Sequence, residues 1–202
     1  PVMCLPGTID NDLPYTEYSL GFDSAVNCAI WEIDRIRDTM ASHERIALVE
    51  VMGNKCGDIA LQAGIATEAD FILVPEIGFN LEKICGRLAE KSITGEYSNI
   101  IVMAEGAGDR EKIARYIAEH TNLEIRTNVL GYVQRGGAPS AFDRMLAFKT
   151  SLRAVELLMG GQKNKAIGIK KNSIIDIDLS IANAMKKDID KKLYLDYATI
   201  NQ

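Results

Sequence analysis

The run RIALVEVM at residues 45–52 decides the architecture. It is short, rich in β-branched residues and apolar at nearly every position. That pattern reads as a strand buried on both faces, the kind found in parallel sheets with helices on either side. DFILVP at 70–75 and NIIVMA at 99–104 repeat it, and IRTNVLG at 125–131 gives a weaker fourth strand. Helical spacing fills the intervals. Phe22, Val26, Ala29, Ile30, Ile33, Ile36 and Met40 recur at steps of three and four, which predicts an amphipathic helix over 20–39. Shorter patterns predict helices over 59–66, 81–89 and 111–120, and a long one over 141–159 is stopped by Gly160 and Gly161. Upstream, VMCL at 2–5 reads as another strand, separated from the other four by the first long helix, which would bridge two lobes. KAIGI at 165–169 reads as a strand, and IDLSIANAMKK at 177–187 and IDKKLYLDYATI at 189–200 as helices. This alternation predicts an α/β protein with mainly parallel sheets flanked by helices.

Composition agrees. The 202 residues are 47% hydrophobic and 25% charged, enough apolar material for a packed core in one large domain or two small ones. A formal net charge of -5 speaks against a general binder of nucleic acid or anionic membrane. It leaves room for a small anionic ligand wherever a few arginines reverse the local field. Cys4, Cys28, Cys56 and Cys85 form no C-x-x-C pair and read as reduced, mostly buried thiols of a cytosolic protein. His43 and His120 do not lie at zinc-ligand spacing. No apolar run reaches the roughly 20 residues of a membrane helix, and PVMCLPG lacks the features of a signal peptide. PVMCL looks like the end of a strand with nothing before it, so the chain is expected to be a piece of a longer protein.

In open parallel sheets ligands bind beyond the carboxyl ends of the strands. Four predicted strands end in glycine-bearing polar loops: PGTIDND (6–12), GNKCGD (53–58), EGAGD (105–109) and YVQRGGAPSAFDR (132–144). Four such loops at one sheet edge predict a ligand cleft. In PGTIDND, Gly7 lets backbone amides approach a ligand, and Thr8 adds a hydroxyl. Asp10 and Asp12 suit Mg2+ binding or general-base work; an Asx-type turn bonding its own backbone explains the same residues. Arg135, among glycine amides, suits a phosphate or is simply solvated. One RGG is no repeated RNA-binding box. Glu105 follows a buried strand, where a carboxylate needs a partner or a ligand hydroxyl. Met52 reads as core. Arg45 and Arg126 sit at the amino ends of their strands, away from such a cleft, a position that serves only a neighbouring subunit.

The motifs PGTIDND, GFDSAVN, IDRIRDT, SHER, VEVMG, GDIAL, ILVPE, AEG, VLGYVQRGG and PSAFDR resemble, in order and spacing over essentially the whole chain, the bacterial-type ATP-dependent 6-phosphofructokinases. The resemblance implies two Rossmann-like lobes with the larger incomplete. Residues 1–20 would be a remnant of the larger, ATP-binding lobe with the catalytic loop, and 21–138 the smaller sugar-phosphate lobe. Residues 139–188 would return to the larger lobe, and 189–202 form a tail on the smaller one. It implies glycolytic phosphoryl transfer from Mg-ATP to the 1-hydroxyl of fructose 6-phosphate, giving fructose 1,6-bisphosphate and ADP, in the cytoplasm. Asp10 matches the general base, Thr8 a neighbour of the reacting groups, and Asp12 a second carboxylate near Mg2+ and phosphates. Thr8, Ile9, Met52, Gly53 and Asn54 match substrate contacts, Glu105 a sugar-hydroxyl ligand and Arg135 a 6-phosphate ligand. Arg45 and Arg126 match arginines given to the neighbour's sugar phosphate, which implies a homotetramer with shared sites. Neither nucleic acid nor membrane is an implied partner.

The chain departs from the family pattern in places. Tyr132 stands where a histidine is usual, and Asn54 where an arginine is usual. Arg37 and Asp70 match residues of an effector site. Thr94, Glu96 and Tyr97 replace positive residues there, so regulation by anionic effectors is expected to be weak or absent. Gly7 stands where pyrophosphate-dependent relatives carry lysine, which favours ATP. A pyrophosphate-dependent enzyme and a non-catalytic sugar-phosphate-binding subunit are the alternative readings. The family's ATP site lies mostly in an upstream segment, so these residues alone are expected to be inactive.

Overall fold

The computed structural model describes residues 1–42, 45–95 and 99–200. Glu96 and Tyr97 of the effector reading, and His43, lie outside the described residues. In chain order the elements are β1 (Met3–Cys4), α1 (Phe22–Ala41), β2 (Ile46–Val51), α2 (Asp58–Ala66), β3 (Phe71–Leu73), α3 (Leu81–Ile93), β4 (Ile100–Ala104), α4 (Arg110–Thr121), β5 (Ile125–Val129), α5 (Ala141–Met159), β6 (Lys165–Lys170), β7 (Ser173–Asp178), α6 (Leu179–Ala184) and α7 (Lys191–Ile200). Short 3-10 turns follow β4 and β5, at Glu105–Ala107 and Gly131–Arg135.

The strands form two sheets. The larger has the order β3-β4-β2-β5 and is parallel throughout. Its alternating side chains explain the continuous apolar runs. Ala47, Val49 and Val51 join a core with α1 and α2. Ile46 and Leu48 join a second core with α3 and α4. The smaller sheet has the order β1-β6-β7, with β1 parallel and β7 antiparallel to β6.

Three expectations change. The stretch 177–187 is not one helix: β7 runs to Asp178 and α6 covers only Leu179–Ala184. The β6–β7 hairpin turns at Lys171 and Asn172, both at positive φ. The four loops do not share one sheet edge. Three leave the larger sheet, and PGTIDND leaves β1 of the smaller one.

A buried carboxylate joins the two halves. Asp143, on the first turn of α5, is 4% exposed. Its Oδ1 accepts the Gly21 N–H at 2.9 Å, and its Oδ2 the Ser24 N–H at 2.9 Å together with the Ser24 hydroxyl. Gly21 is the N-cap of α1, at φ 102°, and has no side chain to cap that helix itself. Asp143 therefore caps α1 from another helix, where the α1 dipole also favours its charge. The Ser140 N–H returns the link, donating to Ser24 Oγ at 2.9 Å.

The tail crosses back to the larger sheet. Ile189 enters the α1–α2 core. Tyr194 Oη donates to the Ile72 carbonyl at 3.1 Å, and Tyr197 Oη to that of Ala69 at 2.6 Å. On α5, Met145, Phe148, Leu152, Val155 and Met159 form an exposed apolar stripe at helical spacing, from 49% exposed at Leu152 to 85% at Met159. No helix among the described residues is long and apolar enough to cross a membrane.

Asp143→Ala leaves the Gly21 and Ser24 amides unpaired between the halves. It is expected to cost about 3 kcal/mol of stability, read as a lowered urea midpoint, and Asp143→Asn, which keeps an acceptor, should cost less.

Candidate active site

The PGTIDND loop begins at the end of β1 and is closed by backbone. The Gly7 N–H donates to the Leu5 carbonyl at 2.9 Å and the Leu20 N–H to the Pro6 carbonyl at 2.7 Å. Asn11, not either aspartate, is its internal anchor. It is 1% exposed and left-handed at φ 52°. Its Nδ2 donates to the Glu17 carbonyl at 2.9 Å and to Asp58 Oδ2 at 2.7 Å, and its Oδ1 accepts the Ser19 N–H at 2.9 Å. The buried Cys56 thiol, pushed up to about 12 chiefly by desolvation, stays protonated and donates to the Asn11 carbonyl at 3.7 Å.

With Asn11 making those bonds, Asp10 is not consumed by a turn. Its own N–H donates to Thr8 Oγ1 at 3.2 Å, but its buried Oδ1 accepts no hydrogen bond from the described residues. Burial raises the Asp10 pKa above its ordinary value, the negative charges of Asp12 and Glu105 raise it further, and the Arg135 guanidinium opposes them. These four side chains, predicted from three different loops, thus sit within electrostatic reach of one another. A carboxyl with an unpartnered oxygen and a raised proton affinity is suited to accept a proton from a bound hydroxyl. Ile9, beside it, packs its side chain on the α1–α2 core.

The turn after β2 is built around Glu105. Its Oε1 accepts the Gly53 N–H at 3.2 Å and the Asn54 N–H at 2.6 Å. Glycine is required on both sides of this contact. A Cβ on Gly53, at φ 140°, would lie 2.3 Å from the Cys56 carbonyl oxygen, and one on Gly106 would lie 2.4 Å from that of Asn54. One oxygen of Glu105 is therefore committed to the turn. Met52 is 8% exposed, as its core reading requires. Its N–H donates to Gln134 Oε1 at 3.3 Å, and Gln134 Nε2 donates to the Gly131 carbonyl at 3.2 Å. Gln134, 2% exposed, is a site-building residue that the sequence reading passed over. No local pattern marked it: its burial and its bond to Met52 appear only in the fold. Arg135 lies 5.4 Å from the Tyr132 ring centroid, a cation–π contact with a ring that is 80% exposed.

Arg45 and Arg126 do not join this group. They lie at the amino ends of β2 and β5, where Glu124 holds both: Arg45 Nε is 2.8 Å from Glu124 Oε2, and Arg126 pairs with Glu124 Oε1. Arg45 first, and then Arg126, hold the exposed Glu124 carboxyl below its usual range. Arg37 and Asp70 both engage the turn between α2 and β3. Arg37 donates to the Thr67 carbonyl, and Asp70 pairs with Lys91 and accepts the Ile100 N–H at 2.7 Å. A cavity of about 460 Å³ lies between β3, α3 and α7, with Asp70 at its margin and Phe71, Phe79, Tyr194 and Tyr197 in its walls. It is separate from the four loops. Among the described residues no three ligating side chains gather as a metal centre. Asp10 and Asp12 fit Mg2+ only in the way that ion commonly binds, with one or two carboxylates and the remaining oxygens from substrate phosphates and water.

The fold and the loops define an α/β protein with a candidate polar, carboxylate-bearing site where loops of its two sheets meet. The phosphofructokinase family model matches residues 1–158, and the chain belongs to that family. It is 47% identical over 190 residues to the ATP-dependent 6-phosphofructokinase of Clostridium acetobutylicum, covering 94% of this chain and 60% of that enzyme. The chain thus spans about 60% of the length of the bacterial relatives it matches. Among solved structures, phosphofructokinase from Saccharomyces cerevisiae superposes with a TM-score of 0.85 at 30% identity, over 97% of this chain and 28% of that one. The pyrophosphate-dependent phosphofructokinase of Marinobacter aquaeolei superposes at 0.80 with 25% identity, over 98% and 59%.

The Asp10 environment has a measurable consequence. Followed by carbon-13 NMR, its carboxyl should titrate above the roughly 3.9 of a free aspartate. Asp12→Asn removes a negative charge and should lower the midpoint, and Arg135→Met removes the opposing positive charge and should raise it.

Proposed function

We propose that this chain supplies the catalytic base and the sugar-phosphate half of an ATP-dependent 6-phosphofructokinase, which moves a phosphoryl group from Mg-ATP to the 1-hydroxyl of fructose 6-phosphate. The observation that carries this reading is Asp10, whose buried Oδ1 has no donor among the described residues and whose proton affinity is raised. A hydroxyl placed against the Asp10 carboxylate delivers its proton to Asp10 as its own oxygen attacks the γ-phosphorus, and ADP leaves with the electron pair of the broken P–O bond. The base contributes a modest part of such a reaction; positioning and charge neutralisation carry most of it. Asp12 would help hold Mg2+, which when bound neutralises phosphate charge. The free oxygen of Glu105 and the amides of the 52–54 turn would orient the sugar, and Arg135, resting on Tyr132, would bind the 6-phosphate.

Arg45 and Arg126 complete the reading only across an interface. At the opposite sheet edge they are placed to reach a neighbour's 6-phosphate once Glu124 yields them, in keeping with a homotetramer. The donor half belongs to the part of the relatives' length that this chain does not span, and the exposed stripe on α5 is the surface on which we place it. The lobes would then divide near 20, 138 and 188, in a cytoplasmic enzyme. ATP is favoured over pyrophosphate by Gly7, whose Cβ position has nothing within 4 Å, so the space a lysine would occupy is open to a larger donor. An effector at Arg37 and Asp70 would have to displace Lys91 and the Ile100 amide from Asp70, which supports weak anionic regulation.

In the complete protein, Asp10→Asn is expected to lower turnover about 10²- to 10⁴-fold while equilibrium binding of fructose 6-phosphate is kept. Unchanged turnover would remove Asp10 from the chemistry. A wild-type protein that binds the sugar phosphate without turnover would establish a non-catalytic binding subunit.

A further inference from the structure

A line of polar contacts runs from the C-terminal crossover to the catalytic loop. Lys187 lies on the segment that carries the chain from α6, beside the smaller sheet, to α7, beside β3. Its Nζ sits 2.8 Å from Asp58 Oδ2, with the lysine side chain 19% and the aspartate side chain 13% exposed. The same Asp58 oxygen accepts Asn11 Nδ2 at 2.7 Å. Asp58 is the first residue of α2, where the helix dipole favours its charge. One carboxylate oxygen thus serves two donors from segments far apart in the chain.

We propose that Lys187 and Asp58 are positioning residues for Asp10, acting through Asn11. This rests on the reading of Asp10 as the base. Three facts carry it. Asn11 lies between the two site aspartates, so its placement sets theirs. It holds a left-handed backbone at φ 52°, a conformation costly for a side chain unless surrounding bonds enforce it. Asp10 Oδ1 has no partner to orient it, so its direction follows from the backbone that Asn11 anchors. Without Lys187, the partly buried Asp58 loses its counter-charge and draws toward water, and Asn11 Nδ2 keeps only the Glu17 carbonyl. The crossover and the catalytic loop are in this way one mechanical unit, and the position of the tail is transmitted to the reacting carboxylate.

The test is a double-mutant cycle in the complete protein. Lys187→Met should lower kcat about tenfold, the scale of a slight misplacement, with KM for fructose 6-phosphate within about twofold. Lys187→Arg should restore kcat, and Lys186→Met, at the exposed neighbour, should leave it unchanged. In an Asn11→Ala background, Lys187→Met should add no further loss, since the path is already cut. The Asp10 backbone amide signal in nitrogen-15 NMR gives a readout free of turnover: it should shift in Lys187→Met and Asp58→Asn and stay in Lys186→Met. An unmoved Asp10 amide signal, or a Lys187 effect that adds in full on Asn11→Ala, overturns the inference. Absent turnover in the unsubstituted protein would sink the function reading alone, because the NMR comparison still reports the coupling. If Lys187→Met does not fold, Asp58→Asn carries the same cycle.

Discussion

The contact on which this structure turns is a single buried carboxylate shared between two helices. Taking Asp143 out of water costs several kcal/mol. That cost is offset by two amides, a hydroxyl and the positive end of α1. In return α5, which packs on the smaller sheet, is locked to α1, which packs on the larger. The site needs that lock. Asp10 and Asp12 come from a loop of one sheet, and Glu105, Arg135 and the 52–54 turn from the other. A small rotation between the halves would separate Asp10 and Asp12 from Glu105 and Arg135 while leaving every strand intact.

Within the site, the groups proposed to meet substrate are held by groups that do not. Asn11 fixes the loop, Glu105 fixes the turn with one oxygen, and Gln134 fixes Met52. Each holder is satisfied, and Asp10 Oδ1 is left without a partner. Ser19 Oγ, beside Asn11, is likewise without a partner among the described residues, so the scaffold is fixed by its holders and leaves polar capacity next to them.

The larger sheet was legible because its strands are apolar on both faces, and periodicity alone separates them from the helices. The β6–β7 hairpin was not. Its turn residues, Lys171 and Asn172, lack the glycine that usually marks a left-handed pair, and the alternation of SIIDID merges into the helical spacing that follows. In the site, Asp10, Arg135 and Glu105 were visible from their places after strands. Arg45 and Arg126 were visible as outliers at the wrong edge. The holders were hidden for a physical reason: Asn11 meets Asp58 across 47 residues of chain, and Asp143 meets Ser24 across 119. No local pattern encodes such partners. PGTIDND therefore showed its acids readily and its anchor not at all.

The two tyrosines of α7 have a consequence of another kind. β3 is an outer strand of the larger sheet, and its free side would offer unpaired carbonyls to any extended chain that drifted past. Tyr194 bonds the carbonyl of Ile72 within that strand and Tyr197 that of Ala69 just before it, and the helix that carries them lies beside the edge. The last helix works as a stopper on the sheet. A protease that trimmed it would uncover a template for strand addition, and the trimmed protein would be prone to self-association through that edge.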